Sequence, residues 1–220
     1  MLASEILVTE IPTLSKHDSV AQAIEWMDEF KVMHLAVVDG PLFLGLVHED
    51  YLLAIEDPTE RISDHLNYLI QMHVYSNEHV FEVLRKVEEY GVTLIPILNP
   101  KELFVGVITV ANLMEVIAEM PVVKSPGGVI VMDILNTDYS LTEIARIVES
   151  NDAKILGSFV SRNQDSSTIE VTLKINKLNI QDVIQALERF DYDITASYDQ
   201  SDANDDLIDN YDNLMNYLNI

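Results

Sequence analysis

The side chains that could do chemistry are few and scattered. The six histidines are His17, His34, His48, His65, His73 and His79, and no two have the HExxH spacing that aims two imidazoles from one helical face. His48-Glu49-Asp50 is the densest acid/base or metal-binding cluster. Consecutive residues on a helix splay around its axis, however, and do not converge on one ion. The chain has no cysteine, which removes thiolate nucleophiles, cysteine metal sites and disulfides together. Glycines at 40, 45, 91, 106, 127, 128 and 157 form no Walker loop, no Gly-x-Gly-x-x-Gly turn and no Gly-x-Ser-x-Gly elbow. These absences point away from an enzyme and from a required cofactor or metal.

Composition bounds the partners. The 220 residues carry 37 acidic and 13 basic side chains, a net charge of −24, with 48% hydrophobic content. That much apolar material fills the core of one large domain or two ordinary ones. The acidity can serve solubility alone, but it repels a phosphate backbone, and no Lys/Arg cluster makes a local exception. Nucleic acid and anionic membrane are therefore excluded as partners. MLASEILVTE lacks the basic start and apolar core of a secretory signal. The apolar stretch from Val37 to Val47 is interrupted by Asp39, Gly40 and Pro41, well short of the roughly 20 residues a membrane helix needs. A cytoplasmic location is expected.

The elements that must position any site come twice. Val20 aligns with Val80, and at the same offset Ala23 meets Val83, Met27 meets Val87, Phe30 meets Tyr90, Leu35 meets Ile95 and Val37 meets Ile97. One extra loop residue then pairs Gly45 with Gly106, Val47 with Ile108 and Leu52 with Leu113. Each copy has a helical stripe, a short apolar strand (HLAVV or LIPIL), a breaker-rich turn, a second strand and a second helix. A unit of this size leaves apolar faces uncovered, so the copies are expected to pack on one another. Trp26, at the edge of its stripe opposite Lys86, is either rim core or a contact to a second subunit, with the second favoured.

The second copy reads Gly91-Val-Thr-Leu-Ile-Pro96 and then Gly106-Val-Ile-Thr109-Val-Ala-Asn112. This resembles the CBS-domain signature across residues 1–60 (repeat one) and 61–122 (repeat two). The resemblance implies a paired module with an adenosine-binding cleft that dimerises. It implies a phosphate contact from Thr109, a ribose contact from Asn112, backbone contacts to adenine near Val92 and Leu94, and structural roles for Gly91, Pro96 and Gly106. Copy one departs from the pattern, with Lys31, Ala36, His48 and Tyr51 at the glycine, proline, threonine and ribose positions. One cleft is expected to work and the other to be closed. Even in copy two, Asn112 could simply cap its helix and Thr109 satisfy backbone.

After the breaker-rich linker PVVKSPGG the pattern changes. Val129 to Ile134 reads as a strand, and Ser140-Leu-Thr-Glu143 opens a helix with Leu141, Ile144, Ala145 and Val148 inward. Strands at Ile155 to Val160 and Thr168 to Ile175 flank a polar turn at Asn163 to Ser167. Asn179 caps a helix with Val183, Leu187 and Phe190 inward, and Tyr192 to Tyr198 closes the series. The order βαββαβ is ferredoxin-like, so the fold class is α/β (α+β). Residues 127–198 resemble an ACT domain, and the whole resembles acetoin-utilisation-type CBS–ACT proteins. The Asp-x-Pro-Gly turn of ACT ligand sites is replaced here by Asn136-Thr-Asp138-Tyr139-Ser140, where a side chain takes the ligand's space. An interface domain is expected rather than an amino-acid sensor.

Residues 199–220 form an acidic segment followed by Leu207, Ile208, Tyr211, Leu214, Met215 and Leu218 on one helical face. Docking onto the same chain is favoured over docking onto a partner. The expectation for the whole is a homodimeric regulatory protein that senses AMP or another adenosyl small molecule and acts on an unknown protein partner. The alternative is a ligand-free scaffold working through protein contacts alone.

Overall fold

The computed structural model describes residues 1–162 and 167–199. Contacts divide the chain into two units, Met1–Ala118 and Glu119–Ile220. In the first unit the chain follows one course twice. Copy one runs β1 (Leu14–Ser15), α1 (Val20–Phe30), β2 (His34–Asp39), β3 (Leu42–His48) and α2 (Glu49–Leu53). A 3-10 segment, Ile62–Tyr68, leads into β4 (Val74–Tyr75), α3 (Val80–Tyr90), β5 (Leu94–Leu98), β6 (Phe104–Thr109) and α4 (Val110–Glu119). Each copy builds a three-stranded sheet, β1-β2-β3 or β4-β5-β6, from one parallel and one antiparallel pair. The two-residue strands β1 and β4 extend the repeat beyond the segments that the apolar pattern picks out.

The helix ends are fixed the same way in both copies. Ser19 caps α1 by accepting from the Gln22 N–H, and the His79 ring accepts from the Phe81 N–H at the start of α3. Each helix ends on a left-handed residue, Lys31 (φ 55°) and Gly91 (φ 62°). Glycine adopts that conformation freely, whereas a lysine gives up about 1 kcal/mol there.

The copies exchange their leading segments. Val8, ahead of copy one, bridges Val107 in β6 of copy two through both N–H and C=O, at 2.8 and 3.0 Å. Ile70, ahead of copy two, bridges Leu46 in β3 of copy one at 2.8 and 2.9 Å. Both bridges depend on a neighbouring glycine. A Cβ on Gly106 (φ 154°) would lie 2.8 Å from the Val8 carbonyl oxygen, and one on Gly45 (φ 145°) would lie 2.6 Å from the Leu69 Cβ. One continuous core follows, with Leu14, Met27, Leu35, Leu46 and Leu52 packed in the same cluster as Val74, Val83, Ile95, Ile108 and Leu113. Trp26 is half-buried against it.

In the second unit, α5 (Pro121–Lys124), β7 (Val129–Leu135), α6 (Leu141–Glu149), β8 (Ile155–Arg162), β9 (Thr168–Ile175), α7 (Gln181–Arg189) and β10 (Asp193–Tyr198) follow in order. The sheet is antiparallel, ordered β10-β7-β9-β8. Alternate residues of β7 and β9, such as Met132, Val171 and Leu173, pack under Ile144, Val148, Val183 and Leu187.

Four expectations need correction. The stretch read as a linker contains α5, because Pro121 at its first position suits a helix start. Leu141 and Phe190 are not inward but 44% and 48% exposed. Each sits at a helix end, where the 3.6-residue stripe runs past the sheet, and Ile147 takes the buried place instead. Asn179 acts one residue earlier than a helix cap, accepting from the Gln181 N–H while Ile180 occupies the cap position. The polar turn at 163–166 and the apolar face expected over 207–218 lie outside the described residues.

Gly106→Ala should lower stability by about 3 kcal/mol or more, since it combines a conformation almost confined to glycine with a backbone clash. Gly40 (φ 60°) meets nothing within 4 Å, so Gly40→Ala should cost only about 1 kcal/mol. Urea unfolding of the two variants measures the difference, and equal losses would contradict the exchange geometry.

Candidate functional site

The candidate cleft lies at the start of α4. Thr109, 92% buried at the end of β6, accepts the Asn112 N–H on Oγ1 at 3.1 Å. The Asn112 Oδ1 in turn accepts from the Thr109 N–H at 3.2 Å and from its hydroxyl at 2.6 Å. This is a capping box, closing reciprocally two of the donors a helix start leaves open. The next amide, that of Val110, donates to the Thr93 carbonyl at 3.1 Å. Thr93 thereby ties the start of α4 to the loop before β5.

Thr93 also reaches into copy one. Its hydroxyl accepts from the Met33 N–H at 3.1 Å, and its own N–H donates to the His34 Nδ1 at 3.3 Å. The His34 ring is 2% exposed and meets the His48 ring edge-on at 4.5 Å. Burial, with the neighbouring His48 adding to it and Asp50 opposing, pushes the His34 pKa down to about 4. A neutral ring accepting on Nδ1 carries its proton on Nε2.

Around these groups opens a cleft of about 450 Å³, lined by Thr93, Thr109 and Asn112 together with Glu10, Phe30 and Lys31. A second recess of about 320 Å³ shares Val8 and Ile11 with it and reaches Gly106 and Phe104. Of the residues singled out from sequence, Thr109 and Asn112 line the main cleft and Gly106 lines the adjoining recess. Val92, Leu94 and Pro96 are buried in the core, and Gly91 is the exposed left-handed end of α3. Val107 spends both backbone groups on Val8, so its pairing with Pro96 is of the non-hydrogen-bonded kind. The proline removes no bond from that side of the strand.

The sequence reading missed Glu10, Ile11, Phe30, Lys31 and Thr93. Lys31 is the residue in place of the copy-one glycine, and its ammonium pairs with Asp28 at 2.8 Å. The hydrogen bonds of its neighbours Met33 and His34 to Thr93 bring it to the copy-two cleft. The visible signal was the repeat itself, which makes Thr93 the counterpart of Met33.

The equivalent positions of copy one are occupied differently. His48 caps α2 by accepting from the Asp50 N–H on Nδ1 at 2.9 Å. The Tyr51 hydroxyl meets the His65 Nδ1 at 2.9 Å, and its ring stacks on Tyr68 at 4.8 Å. Aromatic rings stand where Thr109 and Asn112 stand in copy two. Among the described residues, no group of three or more His, Asp or Glu is placed to hold a metal ion.

In the second unit a cleft of about 390 Å³ lies beside the β7–α6 turn. Asp133, Asp138, Glu143, Asp191 and Asp193 line it, and Tyr139 packs against the core. Five acidic side chains around one cleft oppose the carboxylate of an amino acid.

Residues 71–119 match the family model of the CBS domain. That span contains β4 to α4 and therefore both Thr109 and Asn112. Over 116 residues, 51% of the chain, the sequence is 27% identical to inosine-5'-monophosphate dehydrogenase of Methanocaldococcus jannaschii, covering 23% of that enzyme. A CBS domain pair/ACT domain protein from Thermotoga maritima aligns at TM-score 0.49 and 16% identity, over 54% of this chain and 98% of that one. A protein described as an acetoin utilization protein from Vibrio cholerae aligns at TM-score 0.46 and 16% identity, over 53% and 90%. No helix among the described residues is long and apolar enough to cross a membrane.

The His34 contact carries a pH signature. The unfolded chain binds a proton at His34 below about pH 6.5, whereas the folded chain does so only near pH 4. The stability from a neutral His34 is therefore fully present above pH 6.5 and is lost as the pH falls towards 4, by at most about 3 kcal/mol. His34→Asn keeps an acceptor for the Thr93 N–H but does not titrate. The stability gap between wild type and His34→Asn should narrow or reverse from pH 7 to pH 5, measured by urea unfolding. A gap independent of pH would contradict the burial of a neutral ring.

Proposed function

We propose that this chain is a non-enzymatic regulatory protein whose paired CBS repeats bind one adenosine-containing ligand in the Thr109–Asn112 cleft. A homodimer then passes the binding event to a protein partner. The observation carrying this reading is that Thr109, Asn112 and Thr93, tied together by hydrogen bonds at the start of α4, all line a cleft of about 450 Å³, a size suited to a small ligand. Because Asn112 Oδ1 is held by Thr109, its amide N–H groups are the part left to meet a ribose hydroxyl. Phe30 adds an apolar surface to the lining. Lys31 is the cation of the cleft lining and already pairs with Asp28, while Glu10 adds negative charge. Each further phosphate would face that balance and a chain of net charge −24. AMP, or a cationic adenosyl compound, therefore suits the cleft better than ATP.

The four-stranded sheet order of the second unit supports reading residues 127–198 as an ACT-like domain in the ferredoxin-like class. Its acidic cleft favours an interface role over amino-acid binding.

The second reading, a scaffold without ligand, draws on the capping box. Thr109 and Asn112 already satisfy each other, so a phosphate must compete with a bond worth about 1 kcal/mol net. Titration calorimetry with AMP, ADP, ATP and S-adenosylmethionine decides between the two. One site per chain is expected, weakened about fivefold or more by Asn112→Ala and little changed by Tyr51→Phe. Asn112→Asp keeps an acceptor for the cap and serves as the folded control. No binding at millimolar concentration would favour the scaffold.

Exposed apolar side chains on the first unit's helices, Leu53, Phe81 and Met114, support the homodimer. Light scattering at micromolar protein should give twice the 24.9 kDa chain mass, and a monomer there would remove the dimer from the proposal.

A further inference from the structure

Cations are scarce in this chain, yet two of its arginines share one groove. Between α6 and α7 lies a recess of about 460 Å³ walled by Arg146, Ser150, Asn151, Ala186, Arg189 and Phe190. The Arg146 guanidinium lies over the Phe190 ring at 5.4 Å. Its nearest carboxylate, Glu143, is 3.9 Å away, and both side chains are largely exposed. The Arg189 Nε donates to the Gln185 carbonyl at 3.1 Å. Leu141 and Phe190 are 44% and 48% exposed; Phe190 lines this recess, and Leu141 lines a neighbouring one that also has Arg146 and Ser150 in its wall. The recess thus offers two guanidinium groups and uncovered hydrocarbon side by side.

The chain carries a matching segment. Residues 200–220 hold Asp202, Asp205, Asp206, Asp209 and Asp212, with no lysine or arginine. Leu207, Ile208, Tyr211, Leu214, Met215 and Leu218 recur among them at helical spacing. The segment begins beside the groove's own helix, since Asp199 accepts from the Ile180 N–H at the start of α7. The nine residues of α7 span about 13 Å, whereas 21 residues reach about 30 Å even as a helix.

We propose that the segment 202–218 docks in cis on the α6–α7 face, its apolar side against Leu141 and Phe190 and its aspartates on Arg146 and Arg189. The pairing would bring acidic groups to Arg146 and Arg189, the charged residues of the recess lining, on helices that also carry Glu143, Glu149, Asp182 and Glu188, and would cover both exposed helix-end side chains. It stands independently of any ligand in the CBS cleft.

Hydrogen exchange on the full chain tests the docking. Amides of 207–218 should exchange at least about tenfold more slowly than in a random coil. Raising the salt from low to high should reduce that protection severalfold. Arg146→Glu/Arg189→Glu should return the segment to coil rates while β7 and β9 keep their protection. Should that variant unfold, Leu214→Asp removes the contact from the other side and leaves the groove intact. Coil-rate exchange in the wild type, or protection that survives both variants, would overturn the proposal. Protection that disappears on tenfold dilution would overturn it in favour of a second copy as the source of the segment.

Discussion

The first unit depends on a swap of short strands. Val8 completes the sheet of copy two and Ile70 completes that of copy one, so neither copy has a finished sheet without the other's lead-in. Gly106 and Gly45 permit the approach, and the shared core makes it cooperative. An edge left bare would expose unpaired backbone groups beside buried valines and leucines, which costs more than the bridges themselves contribute. The same constraint builds the cleft, because the segment that bridges Val107 also supplies Glu10 and Ile11 to its wall.

Two equivalent positions then diverge through four side chains. Threonine and asparagine at the start of α4 are small and reciprocal, and they leave a cavity in front of them. Histidine and tyrosine at the start of α2 bring rings that find partners in His34, His65 and Tyr68. A Tyr–His hydrogen bond and a stacked pair stabilise copy one by filling the space that copy two keeps open. Pseudo-symmetric backbones thus carry one cleft and one packed aromatic cluster.

How much of this was legible follows from what sequence can encode locally. The fixed offset between copies, the alternation in β9 and the Ser140 cap depend on neighbours a few residues away, and each could be read from the chain. Thr109 and Asn112 were legible as a pair through the resemblance to the CBS signature, with helix capping as the alternative role. The rest of the cleft lining was not. Lys31 looked like a loss in copy one, yet it lines the copy-two cleft, and only the contacts of Met33 and His34 with Thr93 across the copies connect the two facts. The exposure of Leu141 and Phe190 escaped for a related reason, since periodicity assigns a face but not the point at which the sheet beneath it ends. His34 gave no sign either. A lone histidine in an apolar strand acquires its role from the Thr93 amide, contributed by the other copy.

The capping box also decides how a ligand could matter beyond its own cleft. Thr109 and Asn112 hold the first turn of α4, and α4 runs to Glu119, where the second unit begins. A ligand that drew the Thr109 hydroxyl away from Asn112 would loosen that turn, while one that only used the free amide of Asn112 would tighten it. The two contacts therefore act in opposite directions on one helix whose far end is the join between units. If the ligand proposed above sets a phosphate on Thr109 and a ribose on Asn112, its nucleoside and nucleotide forms would be different signals. Differential interaction with two states of α4 is what any such signal requires, and this pair of side chains is small enough and coupled enough to supply it.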